Sequence, residues 1–324
     1  MEISCILAPN RETPAHIELA ESLGYARAWC FDTPALCSDV WMTLALAAAR
    51  TNRIGLAPGM LVPSLRHPMS TVSAIRTLET LAPGRVTVGV GAGLTGRRLV
   101  GEGGMKWTEV GNYVREIQTL LAGGEIERNG KLVRYMPPAS LKGDGALKVP
   151  FVLAVDGPRG IQAAIDVGVD GVATNGPIPA EMSWGMRVTF AAVLEEDEGP
   201  NGDRVWACAG PGAALVYHIS YDIGGAEAVD QLPGGASWRE QLEAVPVDRR
   251  HQAHWDGHLV ETNSFDESSI PREAVANFAL VGTRQEVRER VAALADQGVT
   301  EIGFTPSGAD VADQLTRFAE ATLA

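Results

Sequence analysis

The sequence has no apolar run approaching the roughly 18 residues that a membrane-spanning helix needs. It is short of positive charge: 27 Lys and Arg stand against 40 Asp and Glu, for a net charge of −13. That balance disfavours a nucleic-acid backbone or an anionic membrane surface as the main partner. Cysteine is scarce, and Cys5, Cys30, Cys37 and Cys208 form no metal-ligand or redox spacing. Free thiols in a reducing cytoplasm are therefore expected, with Cys5 and Cys30 in the core. The first residues, with Glu2 and Ser4, lack a signal-peptide pattern, which also fits a cytoplasmic protein. No nucleophile elbow and no Ser/His/Asp order stand out. Low-complexity segments are absent too.

What is present is alternation. With 324 residues and 45% hydrophobic content, the chain can form one large α/β barrel or two domains. Short apolar runs at 3–7, 26–31, 54–62, 86–90, 151–155, 171–174, 204–209 and 300–305 read as eight strands. Helical stretches fall between them at 14–23, 40–50, 69–81, 109–121, 157–167, 179–196 and 284–297, and a last one at 309–323 closes the chain. Thr13, Asp39 and Thr283 are candidate N-caps, and Gly24 and Gly298 are candidate stops. Residues 124–149 read as irregular or as a hairpin, with turn signals at Asn129-Gly130 and Gly143-Asp144-Gly145. This order predicts a (β/α)8 TIM barrel as a single domain over 1–324, with an insertion at about 210–272 after the seventh strand. An open doubly wound sheet is the rival.

The stretch 54–93 organises the rest. Pro58-Gly59 interrupts an apolar run, where proline cannot donate to a sheet ladder, so a kink or bulge is expected there. Gly89, Gly91 and Gly93 alternate at the end of the next strand. They either let a ligand approach the backbone or relieve crowding inside a barrel. In a barrel the active face lies at the C-terminal strand ends. That places Asp32, Gly59, Met60, Ala92, Gly93, Thr95, Arg97, Arg98, Asp156, Gly157, Arg159, Thr174, Asn175 and Gly176 around one mouth. Small residues dominate, which suits a large flat cofactor held through backbone amides. Arg97-Arg98 and the turn Gly157-Pro158-Arg159-Gly160 are candidates for an anionic tail. The alternative for the arginine pair is a solvated loop.

Other signals are weaker. Gly91 to Gly96 fits G-x-G-x-x-G, but it follows the fourth strand, and from Arg97 onward the chain reads as glycine-rich loop. His251, His254 and His258 are spaced to share a helical face, as a metal site, a pocket wall or packing. Among the tryptophans, Trp107 is the one expected near the mouth.

The segments Gly59-Met60-Leu61-Val62-Pro63-Ser64-Leu65-Arg66-His67-Pro68, Leu78-Glu79-Thr80-Leu81-Ala82-Pro83-Gly84-Arg85 and Gly89-Val90-Gly91-Ala92-Gly93 resemble the luciferase-like monooxygenase superfamily. The similarity is to its branch using the deazaflavin F420, which includes methylenetetrahydromethanopterin reductases. Leu94-Thr95-Gly96-Arg97-Arg98 and Ala154-Val155-Asp156-Gly157-Pro158 are similar to sequences of that branch, and 281–287 and 298–301 resemble its closing helix and strand. The resemblance implies an oxidoreductase that exchanges a hydride between F420 and a small organic substrate, with FMN-dependent monooxygenation or plain F420 storage as alternatives. It implies a non-prolyl cis bond at Gly59–Met60 behind the ring and Asp32 as the catalytic acid. Gly59, Met60, Ala92, Gly93, Arg97, Ala154, Asp156, Gly157, Arg159, Thr174, Asn175 and Gly176 would be cofactor-binding. No metal is implied, and a homodimer is expected from the apolar helix faces of such barrels. Two departures matter. The sugar-phosphate dehydrogenases of the superfamily carry a His where this chain has Thr33 and a Glu where it has Leu94, which argues against glucose 6-phosphate as substrate. Asp156 stands where many relatives have a small hydroxyl residue near the phosphate.

Overall fold

The computed structural model describes residues 1–138, 140 and 145–323. Gly143 and Asp144 of one expected turn lie outside them. The first half alternates as expected: β1 (Glu2–Leu7), α1 (Thr13–Leu23), β2 (Arg27–Cys30), α2 (Val40–Ala48), β3 (Gly55–Pro58), α3 (Pro68–Leu81) and β4 (Val88–Gly91). A short α4 (Leu94–Arg98), α5 (Trp107–Leu121) and a hairpin of β5 (Ile126–Arg128) and β6 (Lys131–Val133) follow. Then come β7 (Phe151–Ala154), α6 (Gly157–Val167), β8 (Gly171–Ala173) and β9 (Gly185–Thr189). The rest comprises β10 (Ala191–Val193), α7 (Asp203–Val229), α8 (Gly235–Ala244), α9 (Val247–Ala253), α10 (Ser264–Ser269), β11 (Leu280–Gly282), α11 (Arg284–Ala295), β12 (Glu301–Phe304) and α12 (Val311–Thr322).

Eight parallel strands run in the order β3-β2-β1-β12-β9-β8-β7-β4. The bridges Leu56↔Val86 and Leu61↔Val90 join the two ends, so the sheet closes into a (β/α)8 TIM barrel. β1 pairs with β12 from Glu2↔Glu301 to Cys5↔Phe304. Local signals place several helix ends. Asp39 accepts a hydrogen bond from the Met42 amide, and Thr283 forms a reciprocal box with Glu286. Gly24 ends α1 in the left-handed conformation at φ 93°. Thr13, expected as a cap, instead lies in the first turn of α1, and Asn10 Oδ1 accepts from the amides of Glu12 and Thr13.

Two expectations exchange places. The helix expected at 179–196 is absent; that stretch holds β9, the seventh barrel strand, paired with β8 and β12, and then β10. No helix separates β8 from β9 among the described residues. The strand expected at 204–209 is the start of α7. Val205, Trp206, Cys208, Ala209, Gly210 and Pro211 are all buried, with only Ala207 exposed among them, so the start of this helix shows no clear amphipathic period. The added helices therefore begin at Asp203, ahead of residue 210, and build a second core with Phe190, Tyr217, Trp238 and Ile270. Gly225, at φ 70° and ψ −163°, breaks α7 near its end. From Arg97 the chain continues the short α4, where loop was expected.

At the N-terminal end of the barrel, the fully buried Glu301 carboxylate accepts from Arg27 Nη1 (2.7 Å), Trp29 Nε1 (2.9 Å) and Trp184 Nε1 (2.7 Å). Cys5, Cys30 and Cys208 are buried free thiols and Cys37 is a half-buried one. Burial pushes Cys5 up to about 12 and Cys37 up to about 11. Among the described residues no helix is long and apolar enough to cross a membrane.

Candidate active site

A cavity of about 440 Å3 opens at the C-terminal ends of the barrel strands. That size falls within the roughly 300–1,000 Å3 usual for cofactor and ligand clefts. Strands β3, β4, β7 and β8 build one wall from Gly59, Met60, Gly91, Ala92, Ala154 and Ala173, so main chain and short side chains face the space. The opposite wall comes from β1, β2, β12 and the added helices.

The β3 wall departs from strand geometry where Pro58-Gly59 signals it. The Gly59–Met60 peptide bond is cis. The Gly59 amide still pairs with Cys30 O at 2.6 Å, and the Leu61 amide pairs with Gly89 O at 2.9 Å, so the bulge is pinned on both sides. The alternating glycines have separate tasks. A Cβ on Gly89 would stand 2.4 Å from Met60 Sδ and 2.7 Å from Pro58 O. That glycine makes room for the chain's own methionine, which is the crowding reading and not the ligand reading. A Cβ on Gly91 would meet nothing nearer than Met60 Cβ at 3.4 Å. Gly93 takes φ 77° to turn the chain into α4.

Asp32 lines the cavity at 3% exposure. Both its oxygens are taken by Arg66: Nε to Oδ2 at 2.9 Å and Nη2 to Oδ1 at 2.8 Å. Arg66 also reaches Asp39 Oδ2 at 2.9 Å, and the bonds to Asp32 hold its proton affinity far above the usual arginine value. Sequence reasoning quoted Arg66 but gave it no role. The pairing spans 34 residues, so no local pattern announces it. Asp156 does not face an anion site as a bare charge. Its Oδ1 accepts from Thr174 Oγ1 and from the Asn175 amide, both at 3.2 Å. Asp156 is the N-cap of α6 yet makes no side-chain bond to that helix, its Oδ1 being turned to Thr174 and Asn175.

Of the residues expected around the mouth, Asp32, Gly59, Met60, Ala92, Gly93, Thr95, Ala154, Asp156, Thr174 and Asn175 share the cavity lining, and Trp107 joins them. Arg97, Arg98, Gly157, Arg159 and Gly176 are not among its lining residues. Arg97 pairs with Glu102 at 2.8 Å and Arg98 with Asp222 at 2.7 Å, so neither is a free cation for a tail. The Gly176 amide is spent on Thr174 Oγ1 at 3.0 Å. Gly157 and Arg159 sit exposed on the first turn of α6, just beyond the cavity.

The histidine spacing sorts differently from the helical face imagined for it. His254 and His258 meet His218, which was not considered, in a buried cluster with Trp238 and Trp255; His251 is outside these ring contacts. Among the described residues no group of His, Cys, Asp or Glu is placed to hold a metal ion. His258 alone of the cluster reaches the cavity, with Nε2 3.0 Å from Thr95 Oγ1. Burial, reinforced by His218 and His254, holds its proton affinity well below the ordinary histidine value. Thr305, at the end of β12, also lines the cavity and was missed.

The luciferase-like monooxygenase family matches residues 6–301. The chain belongs to this family. Among curated relatives, a 5,10-methylenetetrahydromethanopterin reductase from Methanolobus tindarius is 25% identical over 89% of this chain and 87% of its own length. An F420-dependent glucose-6-phosphate dehydrogenase from Beutenbergia cavernae is 28% identical over 86% of this chain and 80% of its own. Among solved structures, the F420-dependent tetrahydromethanopterin reductase from Methanopyrus kandleri superposes with a TM-score of 0.68 at 19% identity, covering 99% and 98% of the two chains. At that identity the superposition speaks for the barrel alone.

Proposed function

We propose that the protein is an F420-dependent oxidoreductase that moves a hydride between the deazaflavin and an organic substrate at the C-terminal face of the barrel. The observation that carries this reading is the cavity wall of Gly59, Met60, Gly91, Ala92, Ala154 and Ala173, glycine and alanine at all but one position, beside a space of about 440 Å3. A planar tricyclic ring needs such a wall, and F420-dependent enzymes among the relatives support the choice of ring. The anionic tail has a fitting end too. The first turn of α6 carries Arg159 and lacks a side-chain cap, because Asp156 is engaged by Thr174 and Asn175.

When bound, the deazaflavin supplies a ring carbon that gives or takes hydride; the chain supplies position and a dry surrounding. Met60 and Gly91, on the wall formed after β3 and at the end of β4, would hold the ring. Asp32, with both oxygens on Arg66, would hold the loop after β2 in place. Trp107 and Phe31 exclude water from the sides. Thr33 and Leu94 occupy the positions where the sugar-phosphate dehydrogenases carry proton-transfer groups, so this chain handles a different substrate.

Titration of the purified protein with oxidised F420 and with FMN, followed by quenching of each cofactor's fluorescence, tests the assignment. Saturable binding of F420 is expected. Saturable binding of FMN with none of F420 would overturn it in favour of a flavin monooxygenase.

A further inference from the structure

The wall opposite the ring-binding surface is apolar and ends in polar groups that lack partners. Phe31, Leu36, Cys37, Ile223 and Leu259 supply most of it. Among the described residues no Lys or Arg lines the cavity, and the only carboxylates there are Asp32 and Asp156. Of the arginines near these walls in sequence, Arg66 is held by Asp32 and Asp39, Arg97 by Glu102 and Arg98 by Asp222, while Arg187, beside Val188, bonds to the Gly176 carbonyl; none of the four lines the cavity. A carboxylate or phosphate on the substrate would lose its hydration here and find no cation on the lining to pair with, since Arg66 is already spent on Asp32 and Asp39.

Two groups on this wall are buried and unsatisfied. Thr305 is 1% exposed, and its Oγ1 has no hydrogen-bond partner among the described residues. His258 is 8% exposed; its Nε2 meets Thr95 Oγ1, and its Nδ1 has no partner. Buried polar atoms are nearly always paired, so an orphan hydroxyl on a cavity wall marks where a ligand atom completes the bond.

We propose that the substrate is an uncharged, largely apolar molecule with one hydrogen-bonding oxygen or nitrogen, received by Thr305 Oγ1 and the Thr95–His258 pair. This rests on reading the cavity as that of an oxidoreductase, and it assigns the wall across from the ring to the substrate. The recognising groups are neutral: two hydroxyls and an imidazole kept unprotonated by burial. They select by hydrogen bonding and not by charge.

Three naphthalenes of matched size separate these terms: 2-acetylnaphthalene, its 6-carboxylate and 2-ethylnaphthalene. Their binding to the full-length protein, with and without F420, is read by calorimetry. The neutral ketone is expected to bind at least about tenfold more tightly than the carboxylate, given the cost of an unpaired charge. Thr305→Val and Thr95→Val are each expected to weaken the ketone roughly three- to tenfold, the worth of one hydrogen bond, while leaving the ethyl compound unchanged. A variant that merely loosens the cavity would weaken both. The proposal is overturned by equal or tighter binding of the carboxylate, by no saturable binding of the ketone, or by parallel losses of ketone and ethyl compound in both variants. F420 titration of the same samples keeps the two readings apart. Ketone selectivity without F420 binding removes the cofactor and leaves the substrate class; F420 binding with carboxylate preference does the reverse.

Discussion

Removing the Arg66 guanidinium tests whether Asp32 belongs to a fixed ion pair or is a group free to react. The carboxylate side chain is 1% exposed and the arginine side chain 18%, with two bonds of 2.8 and 2.9 Å between them. Arg66→Met leaves a buried charge with no partner. Such losses cost about 3–5 kcal/mol, and the partial exposure of Arg66 puts this one near 3 kcal/mol. Asp32→Asn keeps one acceptor and leaves Arg66 its bond to Asp39, so a smaller loss of about 1.5–2 kcal/mol is expected. In the double variant neither buried charge is stranded. The combined loss should therefore fall short of the sum by about 1.5–2 kcal/mol. Urea unfolding followed by tryptophan fluorescence and far-ultraviolet circular dichroism gives the four free energies. Additivity within about 0.5 kcal/mol would refute the fixed-pair argument and return Asp32 to the role of an independent acid.

Two further perturbations probe the bulge and the histidine cluster. Gly89→Ala places a Cβ 2.7 Å from the Pro58 carbonyl, which is main chain and cannot swing aside, whereas Gly91→Ala meets only ordinary contacts at 3.4 and 3.7 Å. The first should cost about 2–3 kcal/mol in urea unfolding and the second under about 1 kcal/mol, and equal losses would contradict the packing described here. His258 binds protons less readily folded than at its ordinary value of 6.5, so the unfolded chain takes up more protons below that pH. Its contribution to stability is complete above about pH 6.5 and is lost as the pH falls, by up to about 1.4 kcal/mol per unit. The groups around it are His218 with Asp266, His254 with Asp222, and Thr95. His258→Phe should therefore flatten the stability profile between pH 6.5 and 5.5, and parallel profiles would count against a neutral buried imidazole.

The fold was legible wherever one local rule spoke alone. Alternating runs and helices gave the barrel; Asp39, Thr283 and Gly24 gave helix ends because capping is decided within four residues. Around 179–209 the rules failed together. β9 is held by neighbours on both edges, and the first turns of α7 are exposed only at Asp203 and Ala207, so neither shows the period that distinguishes strand from helix. That small residues would line the cavity was legible because glycine and alanine gather at the C-terminal strand ends. The pairings around it were not. Arg66 meets Asp32 across 34 residues, Thr95 meets His258 across 163, and the orphan hydroxyl of Thr305 exists only once the surrounding atoms are in place.

The pairing of β1 with β12 sets an order on the birth of the molecule. β12, from Glu301, follows all the other barrel strands in the chain, so the ribosome delivers it long after β1. Until then β1 presents a bare edge to every other chain in the cell, and such edges invite wrong neighbours. Glu301 arrives on that same late strand, so Arg27, Trp29 and Trp184 wait for their common acceptor as well. A net charge of −13 sets sister chains against one another by simple repulsion while the ring is still open.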